Sequence, residues 1–179
     1  FTQLFAAAAR RLGEMWEQDR CTFTDVTIGL SRIQQLIHEL SPFYEPLEGV
    51  SPGVSSSLLV SMPGEHHSLG LLLVEEFFRR AGWSVWTPQD VSADQLVSIV
   101  RQEHFDMVGI SVTCEVEVER LKKIIQSVRS SSVNRELVVM IGGRYVNGHP
   151  EYVANVGADT TDFDGSQAVR RIEAIRPGL

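Results

Sequence analysis

Ser57-Leu58-Leu59-Val60-Ser61-Met62-Pro63-Gly64-Glu65-His66-His67-Ser68-Leu69-Gly70 decides the fold. Ser57 to Met62 is an apolar run of strand length, and from Leu69 to Ala81 apolar residues return at helical spacing. Between them lies a loop with two adjacent histidines, His66 and His67. Strand, loop and helix in that order open a parallel α/β unit. In open parallel sheets such loops gather at the carboxyl ends of the strands, where ligands bind. A histidine presented there can reach a cofactor from a rigid scaffold.

Working downstream, apolar runs at Trp83 to Thr87, Met107 to Val112, Glu136 to Ile141 and Asp159 to Phe163 read as further strands. Ala93 to Glu103, Val116 to Ser130, Pro150 to Asn155 and Gln167 to Ile175 read as the helices that separate or follow them. Strand and helix alternating at this length mean right-handed crossovers and a sheet covered on both faces. The expectation is an α/β domain over 57–179, a flavodoxin-like five-stranded parallel sheet. Upstream, Phe1 to Glu17 and Thr24 to Leu40 carry helical apolar patterns and predict an N-terminal helical module over 1–43. Residues 44–56 hold Pro46, Gly49, Pro52, Gly53 and three consecutive serines, which reads as a linker.

A chain of 179 residues with 43% hydrophobic content can bury a proper core. No apolar run approaches the roughly 20 residues of a membrane span, and no signal peptide is visible, so a cytoplasmic address is expected. The net charge of -7 disfavours direct binding to nucleic acid. Cys21 and Cys114 stand far apart without CxxC spacing and read as two reduced, mostly buried thiols. The start at Phe1, inside a helical pattern, reads as an excised piece of a longer protein.

An enzyme needs a nucleophile with a base, or convergent carboxylates. Ser111, Cys114 and Glu115 at one strand end offer no identifiable base. No phosphate-cradling glycine loop follows the first strand, which weakens nucleotide hydrolysis. The chain therefore reads as a non-enzyme.

Two further features fall at strand ends on the side of the histidine loop: Ser111-Val112-Thr113-Cys114 and Gly142-Gly143-Arg144-Tyr145. Singly, each has a plain explanation as a helix cap or a tight strand exit. Together with Glu65, His67 and Gly70 they reproduce a spaced pattern, and here the chain resembles the cobalamin-binding domain family. That signature is Asp-x-His-x-x-Gly, then Ser-x-Leu, then Gly-Gly. Forty residues separate Gly70 from Ser111, and 28 separate Thr113 from Gly142. The resemblance implies that His67 is the lower axial ligand, with His66 as the alternative. It also implies that Glu65 holds the ligand's other ring nitrogen and that Ser111, Thr113, Gly142 and Gly143 line the pocket of the nucleotide tail. A carboxylate behind a ligand histidine fixes its tautomer and raises its basicity. The departures are Glu65 for Asp, Thr113 for Leu, and bulky Arg144 and Tyr145 after the glycines.

In cobalamin-dependent light sensors a helical bundle with a Leu-Gly-x-x-Trp motif covers the cofactor, and this chain has Leu12-Gly13-Glu14-Met15-Trp16. Val26-Thr27 stands where those sensors place a Glu-His pair. Leu12-Gly13-x-x-Trp16-x-x-Asp19, then Phe23-x-x-Val26-Thr27-x-Gly29-x-x-Arg32-Ile33-Gln34, then Glu65-His66-His67 is similar to a narrower family. That family is the purple-bacterial photosynthesis antirepressors of the AppA, PpaA and AerR type, whose shared domain is described as holding heme instead of cobalamin. The resemblance implies a sensor domain that binds heme and controls a repressor of the PpsR type in response to redox or light. It also implies a flavin-binding blue-light domain ahead of Phe1 in the intact protein. A porphyrin has no nucleotide tail, so Arg144 and Tyr145 would not obstruct it, and Arg144 is placed to meet a propionate. Cobalamin, as in a photoreceptor or a corrinoid carrier, is the alternative ligand. A protein-interaction domain with a vestigial, empty site is the third reading. For Trp16 the plain reading is a core anchor, and His38, His104 and His149 are assigned no role.

Overall fold

The computed structural model describes residues 2–43, 55–65, 69–149, 151–162 and 165–175. The chain divides into two compact units, Phe1–Glu45 and Pro46–Leu179.

The first unit is a helical hairpin of α1 (Thr2–Glu17) and α2 (Phe23–Leu40), followed by a short 3-10 turn at Ser41–Phe43. A capping box starts α2. The Thr22 hydroxyl accepts the Asp25 N–H at 3.2 Å while the Asp25 carboxylate accepts the Thr22 N–H at 2.9 Å. The Thr22 hydroxyl, which donates to the same carboxylate at 2.7 Å, and the Thr22 N–H hold the Asp25 carboxyl below the ordinary carboxylate range. Gly29 lets the two helices approach, since a Cβ there would lie 2.7 Å from Leu12 Cδ1. Two helices bury one stripe each, so Phe5, Ile33 and Ile37 are buried while Leu4, Trp16, Phe23, Ile28 and Phe43 are exposed.

The second unit is the parallel α/β domain. Its elements are β1 (Ser56–Ser61), α3 (Leu69–Arg80), β2 (Ser84–Trp86), α4 (Ala93–Gln102), β3 (Met107–Ser111), α5 (Val118–Ser131) and β4 (Val138–Gly142). After them come α6 (Arg144–Gly148), α7 (Tyr152–Val156) and α8 (Gly165–Ile175). The order β2-β1-β3-β4, parallel throughout, is the doubly wound arrangement the sequence predicts. Each central strand is apolar on both faces. Leu58, Val60, Val108, Ile110, Val139 and Ile141 join one core with α4 and α5, and Leu59, Met107, Val138 and Met140 join the other with α3 and α8.

Two expectations are corrected. The sheet has four strands among the described residues, and of the expected fifth, Asp159 to Phe163, residues 159–162 form a single parallel bridge, between Thr160 and Met140, while Phe163 lies outside the described residues. The Asp159 carboxylate takes the Val139 N–H at 2.7 Å, a position that a backbone carbonyl fills in a regular ladder. The linker expected over 44–56 ends earlier, because Ser56 already belongs to β1 and its N–H donates to the Asp106 carboxylate at 2.7 Å. Residues 44–54 lie outside the described residues. No helix among the described residues is long and apolar enough to cross a membrane.

Candidate functional site

Register aligns the ends of three strands. Ser61 of β1 is the partner of Ser111 of β3, and Ser111 is the partner of Gly142 of β4. The three exits that the sequence singled out therefore stand side by side at the carboxyl edge of the sheet.

At the β1 exit the chain turns at once. The Glu65 N–H donates to the Met62 carbonyl at 2.8 Å, and Gly64 takes a φ of 95° inside that turn. Proline followed by a positive-φ glycine is the usual composition of such a turn. The Glu65 carboxylate then crosses to the β3 exit. One oxygen accepts the Thr113 N–H at 2.8 Å and the Thr113 hydroxyl at 2.5 Å, and the other accepts the Cys114 N–H at 3.1 Å. From the first turn of α5, the Arg120 guanidinium donates to the Pro63 carbonyl at 2.7 Å. His66, His67 and Ser68 lie outside the described residues, so the implied bond from Glu65 to a ligand histidine lies outside them too. Gly70 sits in the first turn of α3, exposed, with no described atom within 4 Å of where a Cβ would be.

At the β3 and β4 exits the two glycines differ. Gly143 has a φ of 101°, and a Cβ there would run into the Val112 peptide, 2.8 Å from its carbonyl carbon. The Val112 N–H donates to the Gly142 carbonyl at 2.8 Å and the Tyr145 N–H to the Val112 carbonyl at 3.2 Å, which fixes this close approach. Gly142 is open by comparison, its nearest neighbour being the Asp162 carbonyl oxygen at 3.8 Å. The Ser111 side chain makes no hydrogen bond among the described residues. Arg144 is exposed as the first residue of α6, directly after Gly143.

Behind Arg144 stands a cluster that sequence reasoning missed. The Tyr145 and Tyr152 hydroxyls lie 3.0 Å apart, and the His149 ring stacks on Tyr145 with centroids at 4.8 Å. The Tyr152 hydrogen bond, with partial burial and the nearby Glu115 and Glu151 carboxylates, pushes the Tyr145 phenol up to about 12. Arg120 was missed as well. Its only sequence signal is a cation in the first turn of a helix, where the macrodipole disfavours it.

Glu65, Gly70, Ser111, Thr113, Gly142, Gly143 and Arg144 are thus gathered at one edge of the α/β unit. Trp16 belongs to the helical unit. It is not the core anchor of the plain reading, since it is 51% exposed and meets Phe23 edge-on at 6.5 Å. Among the described residues no group of three His, Cys, Asp or Glu side chains forms a metal centre. The arrangement sets the three strand exits side by side, with Arg144 exposed directly after Gly143.

Residues 56–173 match the B12 binding domain family. A relative described as an uncharacterized 20.5 kDa protein in the bchF-crtJ intergenic region of Rhodobacter capsulatus is 32% identical over 174 residues, covering 97% of this chain and 90% of its own. Trimethylamine corrinoid protein 2 of Methanosarcina mazei is 20% identical over 95% of this chain and 78% of its own. The solved monomethylamine corrinoid protein of Methanosarcina barkeri superposes with a TM-score of 0.77 at 16% identity, covering 96% of this chain and 80% of its own. That likeness is one of fold.

Proposed function

The chain belongs to the B12-binding domain family, and from that premise we propose that it is a regulatory, non-catalytic sensor domain that holds heme at the ends of β1, β3 and β4. In this reading it controls association with a photosynthesis-gene repressor of the PpsR type. The observation that carries the reading is the Glu65 carboxylate, which is spent on Thr113 and Cys114. The loop that continues into His66-His67 is therefore tied to the β3 exit, and a ligand pulling on that loop also pulls on the Thr113–Cys114 corner.

Two of the positions that the resemblance assigns to the nucleotide tail are our reason for reading heme ahead of cobalamin. The Thr113 hydroxyl already donates to Glu65, and the Cβ side of Gly143 is packed against the Val112 peptide. A porphyrin needs neither. A bound heme supplies a metal whose ligation answers to redox state. His67 or His66 would hold it, and Arg144 would meet a propionate. The regulatory half rests on the resemblance to purple-bacterial antirepressors and on the Rhodobacter capsulatus relative from the bchF-crtJ intergenic region. A ligand regulates only through unequal affinity for two states, so heme must change repressor affinity measurably.

A corrinoid carrier is the second reading, favoured by the open side of Gly142 and the corrinoid relatives. One experiment separates the two. The chain is titrated with hemin and, separately, with hydroxocobalamin, alongside His66→Ala and His67→Ala, and repressor association is measured with and without ligand. A saturable hemin spectrum lost in one variant, with altered repressor binding, supports the sensor. Binding of hydroxocobalamin alone overturns heme in favour of the carrier, and no binding of either leaves a protein-interaction domain.

A further inference from the structure

The aromatic cluster of α6 and α7 takes no part in the macrocycle reading. Tyr145, His149 and Tyr152 are half-buried, and their ring centroids lie 4.8 Å apart for Tyr145 and His149, 5.4 Å for the two tyrosines and 5.8 Å for His149 and Tyr152. The two phenols share a hydrogen bond at 3.0 Å. His149 Nδ1 donates to the Tyr145 carbonyl at 3.0 Å, since a carbonyl only accepts, and in the neutral ring this leaves Nε2 as an acceptor.

Two carboxylates border the rings, and they come from different elements. Glu151 directly precedes Tyr152 at the start of α7. Glu115 stands in the connection from β3 into α5, beside the place where the Tyr145 N–H meets the Val112 carbonyl at 3.2 Å. Both are exposed, and the field of both reaches the Tyr145 phenol and helps to raise its pKa. Ring faces beside two carboxylates suit a guanidinium. It is planar and weakly hydrated, it stacks on aromatic rings, and its forked N–H groups match carboxylate oxygens, whereas an ammonium is a compact, strongly hydrated point charge. The net charge of -7 attracts a basic segment to the chain in the first place.

We propose that the α6–α7 corner is a docking surface for an arginine side chain in a basic segment of a protein partner, with Glu115 and Glu151 taking the guanidinium N–H groups and Tyr145, His149 and Tyr152 supplying the ring faces. The inference goes beyond the sensor reading and does not depend on which macrocycle, if any, the domain holds. The surface is attached to the strand ends, because the Val112 N–H donates to the Gly142 carbonyl at 2.8 Å and the next residue, Thr113, is held by Glu65.

The test titrates the whole chain by calorimetry with hexaarginine and hexalysine peptides as the probes. Wild type should prefer hexaarginine by about threefold. The double variant Glu115→Gln with Glu151→Gln should weaken hexaarginine about fivefold. Glu136→Gln, which removes an exposed charge before the opposite end of β4, should leave the affinity nearly unchanged. Tyr152→Leu keeps an apolar side chain against the core and should erase the preference for arginine over lysine. Wild type that binds both peptides equally, or an equal loss from Glu136→Gln and from the double variant, overturns the inference and leaves diffuse attraction to an acidic chain. Absence of hexaarginine binding overturns it as well, while the hemin titration of the sensor reading is unaffected by either result.

Discussion

The Glu65 carboxylate accepts both the backbone N–H and the hydroxyl of Thr113, at 2.8 and 2.5 Å, across 48 residues of chain. Hydrogen bonds to an ionised acceptor are worth about 1.5–3 kcal/mol each when both partners are in place. Glu65→Ala should therefore lower the urea unfolding free energy by about 2 kcal/mol, and Thr113→Val by less, because the Thr113 N–H remains. The double variant should fall short of the sum by roughly 0.5 kcal/mol or more. Strict additivity would mean that the two exits are not coupled through this contact.

The glycine pair at the β4 exit should split in a stability assay. Gly143→Ala forces a side chain onto the Val112 peptide at a φ of 101°, and strained backbone of this kind costs about 1–3 kcal/mol before the clash is counted. Gly142→Ala meets only the Asp162 carbonyl at 3.8 Å, an ordinary contact, and should change stability by under about 0.5 kcal/mol. Equal losses at both positions would refute this division of roles.

How much of this was legible in sequence depended on the range of the interactions. β1, β3 and α5 follow from apolar periodicity, which is local, and the strand-end placement of Glu65, Ser111 and Gly142 follows from their position after apolar runs. The fifth strand was misread because Asp159 to Phe163 looks extended by composition, while its pairing is decided by a carboxylate that reaches Val139. Arg120 could not be found because its partner is a proline carbonyl 57 residues away. Backbone acceptors carry no side-chain signature, so no motif reports them. The pairing of Tyr145 with Tyr152 failed for a related reason, since it depends on the turn between two short helices.

Tyr145 gives a pH prediction. Its phenol moves from the ordinary 10.0 to about 12, chiefly through the Tyr152 hydroxyl. Below pH 10.0 both folded and unfolded chains keep this proton, so the contribution is fully present. Between 10.0 and about 12 the unfolded chain releases the proton and the folded chain keeps it, so stability falls as pH rises through that window. Followed by phenolate absorbance, the Tyr145 phenol should titrate late, and Tyr152→Phe should bring it back toward the ordinary value. A Tyr145 phenol that titrates at the ordinary 10.0 in the folded chain would contradict the contact.

Gly70 lets fold and ligand be weighed in one variant. It lies exposed in the first turn of α3, and no described atom approaches the position of a Cβ. No described residue therefore requires glycine there, and glycine in a helix costs about 0.5–1 kcal/mol relative to alanine. Gly70→Ala should raise the unfolding free energy by about 0.5 kcal/mol. The resemblance places Gly70 three residues after the ligand histidine, where a flat macrocycle approaching the loop needs the backbone bare. Hemin affinity should then fall in the same variant whose stability rises. Opposite signs cannot come from general damage to the fold, which lowers both. A variant that gains stability and keeps full hemin affinity would remove Gly70 from the site.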